Sequence, residues 1–578
     1  MPFIKKKINR NQIFIASFDD FIEQNSIARI IDAFVENTDL GKLGFTNTTT
    51  NVEGRPCYPA AVYVKLYMYG SLKNVRSSRK LAALCRENIE VMWLLDGLTP
   101  DFRSISDFRK INTEKTMKKL FMELRNRILI DVKTGDISVD GSKFQANNSK
   151  DNNFTLNKLD ERISWLKAHC GEYLRLIDLM DAGEDADEEL SDTFTKEELL
   201  AKLDETRKRL AKYESYREYM EQEHLGQLSL IDIDSKLMKN KDGMQVSYNI
   251  QTAVDTEQHI IMDYKTTNEC ADNGLLYHTV KDIKAEAGDQ IIHTIADTGY
   301  QESADIINCL DNGIIPNVIL PDGKDKYELE VDYEEANDCD PASTKSDELK
   351  KCLHSGIVPA AYEEMLEAEI TEVRFKVEDE AAQLPEYADE EEMIDRATHG
   401  YFIRDVKNDK VYCPYGETLR LKGVKKNGSR RYANKAVCKR CPFNKQCVTS
   451  NKITWKEIDF GKNSVERKID WLPIEFIGKA RPPIPEKISK KARWHYETKR
   501  VVKIKFYPNR KKMDKRKCTS EHPFGTIKRS MDAKYFLLRG MSKVDGEFAL
   551  IAMGYNLRRA INMYSFEELM KKVGRKVA

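Results

Sequence analysis

The sequence predicts an α/β protein, with a mixed sheet that is interrupted by two insertions and preceded by a helical region. Residues 1–130 repeat apolar side chains at helical spacing, whereas residues 131–320 alternate β-branched segments with helical ones. At 578 residues, the chain is too long for one ordinary core and is typical of roughly three or four domains.

Composition excludes several classes of protein. Hydrophobic residues make up 41% of the chain and charged residues 33%, which favours a soluble globular protein over a disordered or membrane one. No apolar run is long enough to span a bilayer, and because the basic first residues have no apolar segment or cleavage site, we expect no signal peptide. We therefore expect a cytoplasmic protein whose 12 cysteines are reduced thiols or metal ligands.

The first 130 residues predict several short helices. Pro59 suits a first helical turn, Ser77 suits a helix cap, and residues 104–109 (SISDFR) suggest one more capped start. Arginine and lysine lie near these starts. The region is therefore predicted to dock on DNA or, alternatively, to form a plain helical bundle.

The core is predicted at residues 131–320. The predicted strands are 137–140, 244–254, 260–265, 290–296 and 317–320, and the predicted helices are 273–285 and 303–310. Residues 151–235 insert two heptad repeats between the first two strands, and Thr195 with Glu198 forms a capping box before the second repeat. An antiparallel helical hairpin is expected, with its apolar seam used for internal packing or for a dimer interface.

Charge is unevenly distributed, although the net charge is zero. Residues 321–400 contain 25 acidic and 8 basic side chains, whereas residues 479–517 contain 16 basic and 3 acidic ones. Aromatic residues such as Trp494 among the basic ones suit contact with a nucleic-acid backbone, but a solvated face explains them equally well. The acidic block is either a solubilising insertion or a mask for the basic surface.

Three carboxylates are candidates for phosphodiester chemistry. Asp140 and Asp297 are predicted to end strands, and Glu521 is predicted to begin a helix capped by Ser520. Lys528 lies seven positions after Glu521 and therefore shares its helix face. Carboxylate oxygens hold Mg²⁺ or Mn²⁺, and two such ions can clamp the attacking and leaving oxygens of a phosphate.

Four sequence blocks resemble those of bacterial insertion-sequence transposases of the DDE type. The blocks are VDGS (139–142), YNIQ (248–251), ADTGY (296–300) and EHPFGTIK (521–528). The helical N-terminal region, with Arg55-Pro56 and residues 104–109, is also similar to that group. The resemblance implies an RNase H-like catalytic core, a double-stranded DNA substrate with terminal inverted repeats, and a homodimer on DNA.

The resemblance also implies roles for single residues. It assigns Asp140, Asp297 and Glu521 as ligands of two Mg²⁺ or Mn²⁺ ions and Lys528 as a phosphate contact. DNA contacts are expected from a group of neighbouring side chains, namely Arg510, Lys512, Arg516, Lys517 and His522. Many relatives have an arginine four positions before the glutamate and a tyrosine three before that, where this chain has Lys517 and Asp514.

A second candidate metal site lies in the insertion at 321–500. Its cysteines are Cys413, Cys438, Cys441 and Cys447, in the pattern C-x24-C-x2-C-x5-C. The x2 spacing lets two thiolates bind one structural Zn²⁺, but two such pairs are usual and only one is present. Zinc is predicted here, with free thiols as the alternative. Residues 501–578 are expected to complete the core.

Three functions follow from these patterns. The first is a DNA transposase that cuts at its inverted repeats and joins the ends to a target. The second is a metal-dependent DNA nuclease without strand transfer. The third is a DNA-binding protein whose carboxylates are structural.

Overall fold

The computed structural model describes most of the chain. The described residues are 17–49, 57–112, 114–129, 135–182, 195–240, 243–321, 323–335, 339–343, 345–376, 389–398, 400–425, 428–448, 453–461, 469–473, 496–514 and 516–574. The quoted Arg55, Pro56 and Trp494 lie outside them. Of the helices in these ranges, none combines the length and the apolar character needed to cross a membrane.

Helices precede the central sheet, as predicted. They are α1 (Ile27–Glu36), α2 (Leu40–Leu43), α3 (Ala60–Leu72), α4 (Ser78–Glu87), α5 (Ile89–Leu94), α6 (Phe102–Ile111) and α7 (Glu114–Leu129). Ser77 holds the N-cap position of α4, as expected. The predicted start at residue 104 is wrong, because the Asp101 carboxylate accepts the backbone N–H groups of Arg103 and Ser104 and caps α6 three residues earlier.

The central sheet combines antiparallel and parallel pairing. In chain order the first strands are β1 (Ile137–Gln145), β2 (Asn153–Phe154), β3 (Leu228–Ser229), β4 (Lys236–Asn240), β5 (Gly243–Asp255), β6 (Ile261–Thr267), β7 (Ile292–Ala296) and β8 (Ile314–Val318). Among the described strands, β2 and β3 pair only with each other. The other six form one sheet in which β5 pairs antiparallel with β1, β4 and β6, and β7 pairs parallel with β1 and β8.

Helices cover both faces of this sheet. Those that follow α7 are α8 (Leu156–Ala182), α9 (Lys196–Gln222), α10 (Leu276–Ala287), α11 (Ser303–Asp311), α12 (Ser346–His354), α13 (Glu390–Thr398), α14 (Lys435–Arg440), α15 (Asn444–Cys447), α16 (Arg510–Asp514), α17 (Arg516–Gly525), α18 (Met541–Met563) and α19 (Phe566–Val573). Phe144 and Tyr264 of the sheet share one core with α3, α7 and α18. Val139 and Ala253 share the opposite core with α10 and α11. The first and last helices thus pack against the same side of the sheet.

The predicted helical hairpin is confirmed. α8 and α9 pack against each other, and Leu199 and Leu203 of α9 are buried in their seam. Thr195 and Glu198 form the predicted capping box. The guanidinium of Arg217 on α9 pairs with Asp160 on α8. The seam therefore serves internal packing.

A three-stranded sheet joins the acidic and basic parts of the sequence. Its strands are β9 (Tyr327–Asp332), β10 (Leu366–Lys376) and β17 (Tyr496–Phe506), with β17 in the middle and antiparallel to both neighbours. Lys499 of β17 pairs with Asp332 of β9 at 2.5 Å, and Lys505 pairs with Glu367 of β10 at 2.9 Å. Acidic strands therefore flank the basic strand, which supports the masking interpretation.

The cysteine-containing insertion has a sheet of its own. Its strands are β11 (Tyr401–Asp405), β12 (Lys410–Tyr412), β13 (Thr418–Val424), β14 (Arg430–Ala433), β15 (Glu457–Phe460) and β16 (Ile469–Pro473). The strand order is β15-β14-β13-β12-β11-β16, and every pair is antiparallel. Short helices α14 and α15 follow β14 and carry the later cysteines.

Two predicted element boundaries near the candidate acids are wrong. Asp140 does not end a strand, because β1 continues to Gln145 in unbroken register with β5. Glu521 does not begin a helix, because α17 starts at Arg516 and contains Pro523 in its interior. Ser520 is therefore not a cap, and its hydroxyl donates instead to the carbonyl of Arg516.

Candidate active site

Asp140 and Asp297 lie on neighbouring parallel strands. In the pairing of β1 with β7, Ser138 is opposite Ile295, and the same register continued by two residues brings Asp140 level with Asp297. Asp297 directly follows β7, as the sequence predicts, and its carboxylate accepts the N–H of Gly299 at 2.8 Å. Residues far apart in the chain thus meet because their strands are adjacent.

Arg516 joins the two aspartates. Its Nη2 lies 3.0 Å from Oδ2 of Asp297 and 3.5 Å from Oδ1 of Asp140. Side-chain exposure is 13% for Arg516, 17% for Asp140 and 35% for Asp297, so the carboxylates are partly open to solvent. The two acids therefore converge on one positive charge.

The protonation of Asp140 reflects this environment. Burial raises the pKa of the Asp140 carboxyl to about 6, the nearby Arg516 guanidinium opposes the rise, and the charge of Asp297 adds to it. The ionised form of the Asp140 carboxyl is therefore less stable here than in water, unless a second cation lies near it. The pocket therefore has an electrostatic preference for added positive charge.

Glu521 is not brought into this pair. Glu521 is exposed and lies in the middle of α17. It follows Arg516 by five positions, which places it about 140° around the helix from Arg516. Within the described residues, no group of three or more His, Cys, Asp or Glu side chains is arranged to hold a metal ion. The structure thus brings two of the three predicted acids together.

The Lys528 ammonium lies beside β1, the strand that contains Asp140. Its ammonium donates to Oγ of Ser142 at 2.6 Å and to the carbonyl of Lys143 at 2.7 Å. The preceding helix packs there through Phe524, whose ring centre lies 6.0 Å from that of Phe144. Because Asp140, Ser142 and Phe144 alternate along β1, they face the same side as α17.

The predicted DNA contacts have different environments. Lys512 pairs with Asp136 at 2.9 Å, while Arg510 is exposed. His522 contacts the Tyr555 hydroxyl at 3.0 Å, and burial lowers the pKa of the His522 imidazole. The side chain of Lys517 is not among those that the structure describes. Of the predicted DNA contacts that are described, Arg516 is the one that binds Asp140 and Asp297.

A polar network that the sequence reasoning missed lies behind β1. Oδ1 of Asp272 accepts hydrogen bonds from Lys143, Asn249 and Gln251. Asn249 and Gln251 belong to the YNIQ block, which had no assigned role. Two amide residues at alternate positions of a buried strand are a signal for such a network, because buried amides require partners.

The four cysteines of the insertion meet in one place. Cys413, Cys438, Cys441 and Cys447 line a cavity of about 30 Å³, which is room for a particle of roughly the size of a water molecule or an ion. Burial raises the pKa of the Cys413 thiol to about 11 and that of Cys447 to about 12, and the charges of neighbouring cysteines add to both shifts. The four cysteines therefore share one cavity, but among the described residues they are not arranged as a group that could hold a metal ion.

The sheet and the acid pair together define the class of fold. The antiparallel strands β6, β5 and β1 continue into the parallel strands β7 and β8, with one aspartate within β1 and one directly after β7. With the helical N-terminal region, this is the RNase H-like arrangement expected for a DDE core.

Comparison with protein families identifies the chain more closely. Residues 16–111 match Transposase domain (DUF772), and residues 225–379 and 479–561 each match a Transposase DDE domain. The chain belongs to the insertion-sequence transposases of the DDE type. Asp297, Glu521 and Lys528 lie within the matched segments, whereas Asp140 lies between them. No curated protein and no solved structure matches the chain.

Proposed function

We propose that this transposase binds the terminal inverted repeats of its own insertion sequence, cuts the DNA at their ends and joins the freed ends to target DNA. The observation that carries the proposal is the meeting of Asp140 and Asp297 at one partly exposed cation. Phosphodiester cleavage requires such convergence, because negative charge accumulates on the phosphate in the transition state.

The donor chemistry of the acid pair suits hard divalent cations. Both aspartates offer carboxylate oxygens, and both already lie within 3.5 Å of a positive charge. We propose that two Mg²⁺ or Mn²⁺ ions bind there, with Glu521 as a third ligand residue. Such ions would polarise the phosphate and lower the pKa of a bound water. Glu521 is proposed from its place in the EHPFGTIK block.

Arg516 is proposed as a phosphate contact. Its planar guanidinium can donate two parallel hydrogen bonds to a phosphate. In this structure its Nη2 atom alone contacts both carboxylates. Lys528 would act beside it as a point charge at the same strand. The two residues would then hold the substrate while the aspartates remain available for cations.

The proposal is tested with the purified full chain, Mg²⁺ and duplexes that carry the element's own ends. We expect cutting at the end of the repeat and joining of the cut 3′ end to a second duplex. Asp297→Ala should abolish both reactions and leave binding of the repeat intact. Normal cutting by Asp297→Ala would refute the site assignment.

The same assay separates the alternatives. A nuclease without strand transfer would cut in the same metal-dependent way and yield no joined product. A protein that only binds DNA would give complexes and no cut strands at any metal concentration. All three would bind DNA less tightly at higher salt, because Lys and Arg release counterions from phosphates.

We also propose a structural Zn²⁺ at the four cysteines. Its support is the shared cavity of Cys413, Cys438, Cys441 and Cys447 and the turn in which the N–H of Gly416 donates to the carbonyl of Cys413 at 2.7 Å. Metal analysis should give about one zinc per chain, and less after Cys441→Ser. Cys352→Ser, a matched control at a buried cysteine of another region, should keep the zinc. A zinc-free protein that folds normally would refute this part.

Assembly and location are further parts of the proposal. Since two element ends must be cut together, we expect a homodimer on DNA, measurable as a two-chain complex with two repeat duplexes. Because the substrate is DNA in a bacterial cell, we expect the protein in the cytoplasm.

A further inference from the structure

Asp272 links the two strands that form the middle of the active sheet. Its Oδ1 accepts from Nζ of Lys143 at 2.8 Å, from Nδ2 of Asn249 at 2.7 Å and from Nε2 of Gln251 at 2.8 Å. Lys143 belongs to β1, and the two amides belong to β5. One carboxylate oxygen thus binds three donors from two strands.

Gly141 provides the space for this network. A Cβ atom added at Gly141 would lie 2.5 Å from Oδ1 of Asp272 and would also collide with Nε2 of Gln251. Gly141 directly follows Asp140, and its side chain would point to the opposite face of β1. The Asp272 carboxylate therefore contacts the backbone next to Asp140, on the face of β1 opposite to the Asp140 side chain.

The network also reaches the second aspartate. A Cβ atom added at Gly299 would lie 2.9 Å from Oδ1 of Asp297 and 3.7 Å from Cβ of Asp272. The Tyr300 hydroxyl in the same turn donates to Oε1 of Gln251. Asp272 is therefore linked to the turn after Asp297 through Gln251 and the Tyr300 side chain.

We propose that Asp272 is a positioning residue, whose carboxylate fixes the backbone at Gly141 directly and the turn after Asp297 through Gln251 and Tyr300, and thereby sets the affinity of Asp140 and Asp297 for divalent cations. The inference rests on the proposed function of that acid pair. It adds a residue that lies outside the four blocks of the DDE resemblance.

The charge of Asp272 is needed for this role. A carboxylate oxygen accepts from all three donors at once, and the bond from the Lys143 ammonium is charge-assisted. An asparagine would offer one acceptor oxygen and two N–H donors. In one of its two orientations its NH₂ group would face the NH₂ groups of Asn249 and Gln251, and no hydrogen bond could form between these donors. Residues behind metal ligands typically change metal affinity about 10–100-fold when altered.

The test compares Asp272→Asn with the unaltered chain in two measurements. The first is the Mg²⁺ concentration for half-maximal cutting of an element end, which should rise about tenfold, with recovery of the rate at high metal. The second needs no reaction and measures Mn²⁺ binding to the protein alone by calorimetry, which should weaken by a similar factor. A residue with a merely structural role would lower stability without changing either metal dependence.

A matched control is Asp282→Asn on α10. Asp282 is also an aspartate paired with a lysine of the sheet, Lys265, but it has no contact with Asp140 or Asp297 among the described residues. Its metal dependence should equal that of the unaltered chain. If Asp272→Asn fails to fold, Lys143→Met removes the charged partner alone and should shift the metal dependence in the same direction.

The outcomes separate the inference from the proposed function. Unchanged Mn²⁺ affinity and Mg²⁺ dependence in folded Asp272→Asn or Lys143→Met, beside an active unaltered chain, would overturn the positioning role. An unaltered chain that neither binds Mn²⁺ nor cuts its own ends would overturn the proposed function itself. A shift in both measurements with the Asp282→Asn control unchanged supports the inference.

Discussion

Opposite charges meet in two regions of this protein, with different consequences. At the acid pair, one guanidinium that is 13% exposed lies between Asp140 and Asp297. In the three-stranded sheet, Lys499 and Lys505 pair with Asp332 and Glu367, and all four side chains are 42% to 71% exposed. The first arrangement concentrates charge at one point, whereas the second neutralises a surface. A charge count along the sequence therefore does not distinguish a partly buried charge cluster from a solvated ion pair.

The largest expected effect is at the acid pair. Asp140→Asn should lower cutting of the element end at least about a thousandfold, because it removes a group that stabilises charge in the transition state. The measurement is single-turnover cutting at saturating Mg²⁺. Asp332→Asn, which removes an exposed aspartate of the other region, is the matched control and should cut normally.

Arg516→Ala should have the next largest effect. It removes the proposed phosphate contact, so cutting should fall about a hundredfold while the protein remains folded. Arg516→Lys should restore little of the rate, because an ammonium cannot make two parallel bonds. Full activity of Arg516→Ala would show that the ion pair only holds the metal-free pocket together.

A stability effect should follow from the raised pKa of Asp140. Its pKa is about 6 in the folded chain and 3.8 is its ordinary value, so between these pH values the folded state binds the proton more tightly, and its stability falls as pH rises. In a metal chelator, Asp140→Asn should therefore stabilise the protein at pH 7.5 by about 2–3 kcal/mol. The gain should vanish near pH 4, as measured by urea unfolding, and a gain that persists there would contradict this account.

The smallest effect is expected on the flanked basic strand. Lys505→Ala should leave both the melting temperature and the salt dependence of DNA binding unchanged, because its ammonium is exposed and already paired with Glu367. Arg510→Ala is the contrasting variant, since Arg510 is exposed and has no ion-pair partner among the described residues. It should lower the slope of log affinity against log salt by about one. An equal loss in both variants would mean that the acidic strands do not mask the basic one.

Local patterns of the sequence predicted local structure well. The hairpin followed from a 3-4 apolar spacing and a capping box, and the position of Asp297 followed from an apolar strand that stops. Asp140 was misplaced because the Gly-Ser after it suggests a turn, whereas pairing with β5 keeps the strand extended. Tertiary pairing overrode local propensity at that point.

The features that the sequence did not reveal depend on distant contacts. The start of α17 lies at Arg516, whose partners are far away in the chain. The assembled sheets likewise determine which strands pair with β17. They also bring Asp272 together with Lys143, Asn249 and Gln251. The contacts of Arg516, of β17 and of Lys143 with Asp272 join residues more than a hundred positions apart, which spacing within one segment cannot predict.

The shared core of early and late helices has a consequence for synthesis. Arg127 at the end of α7 donates to the carbonyl of Val573, and α18 packs along α7 and α3. A ribosome that has made only the first half of the polypeptide has therefore made helices that still lack their packing partners. The two aspartates and Arg516 meet only after the late segments arrive, so a nascent chain would hold no assembled form of the proposed cutting centre near the chromosome.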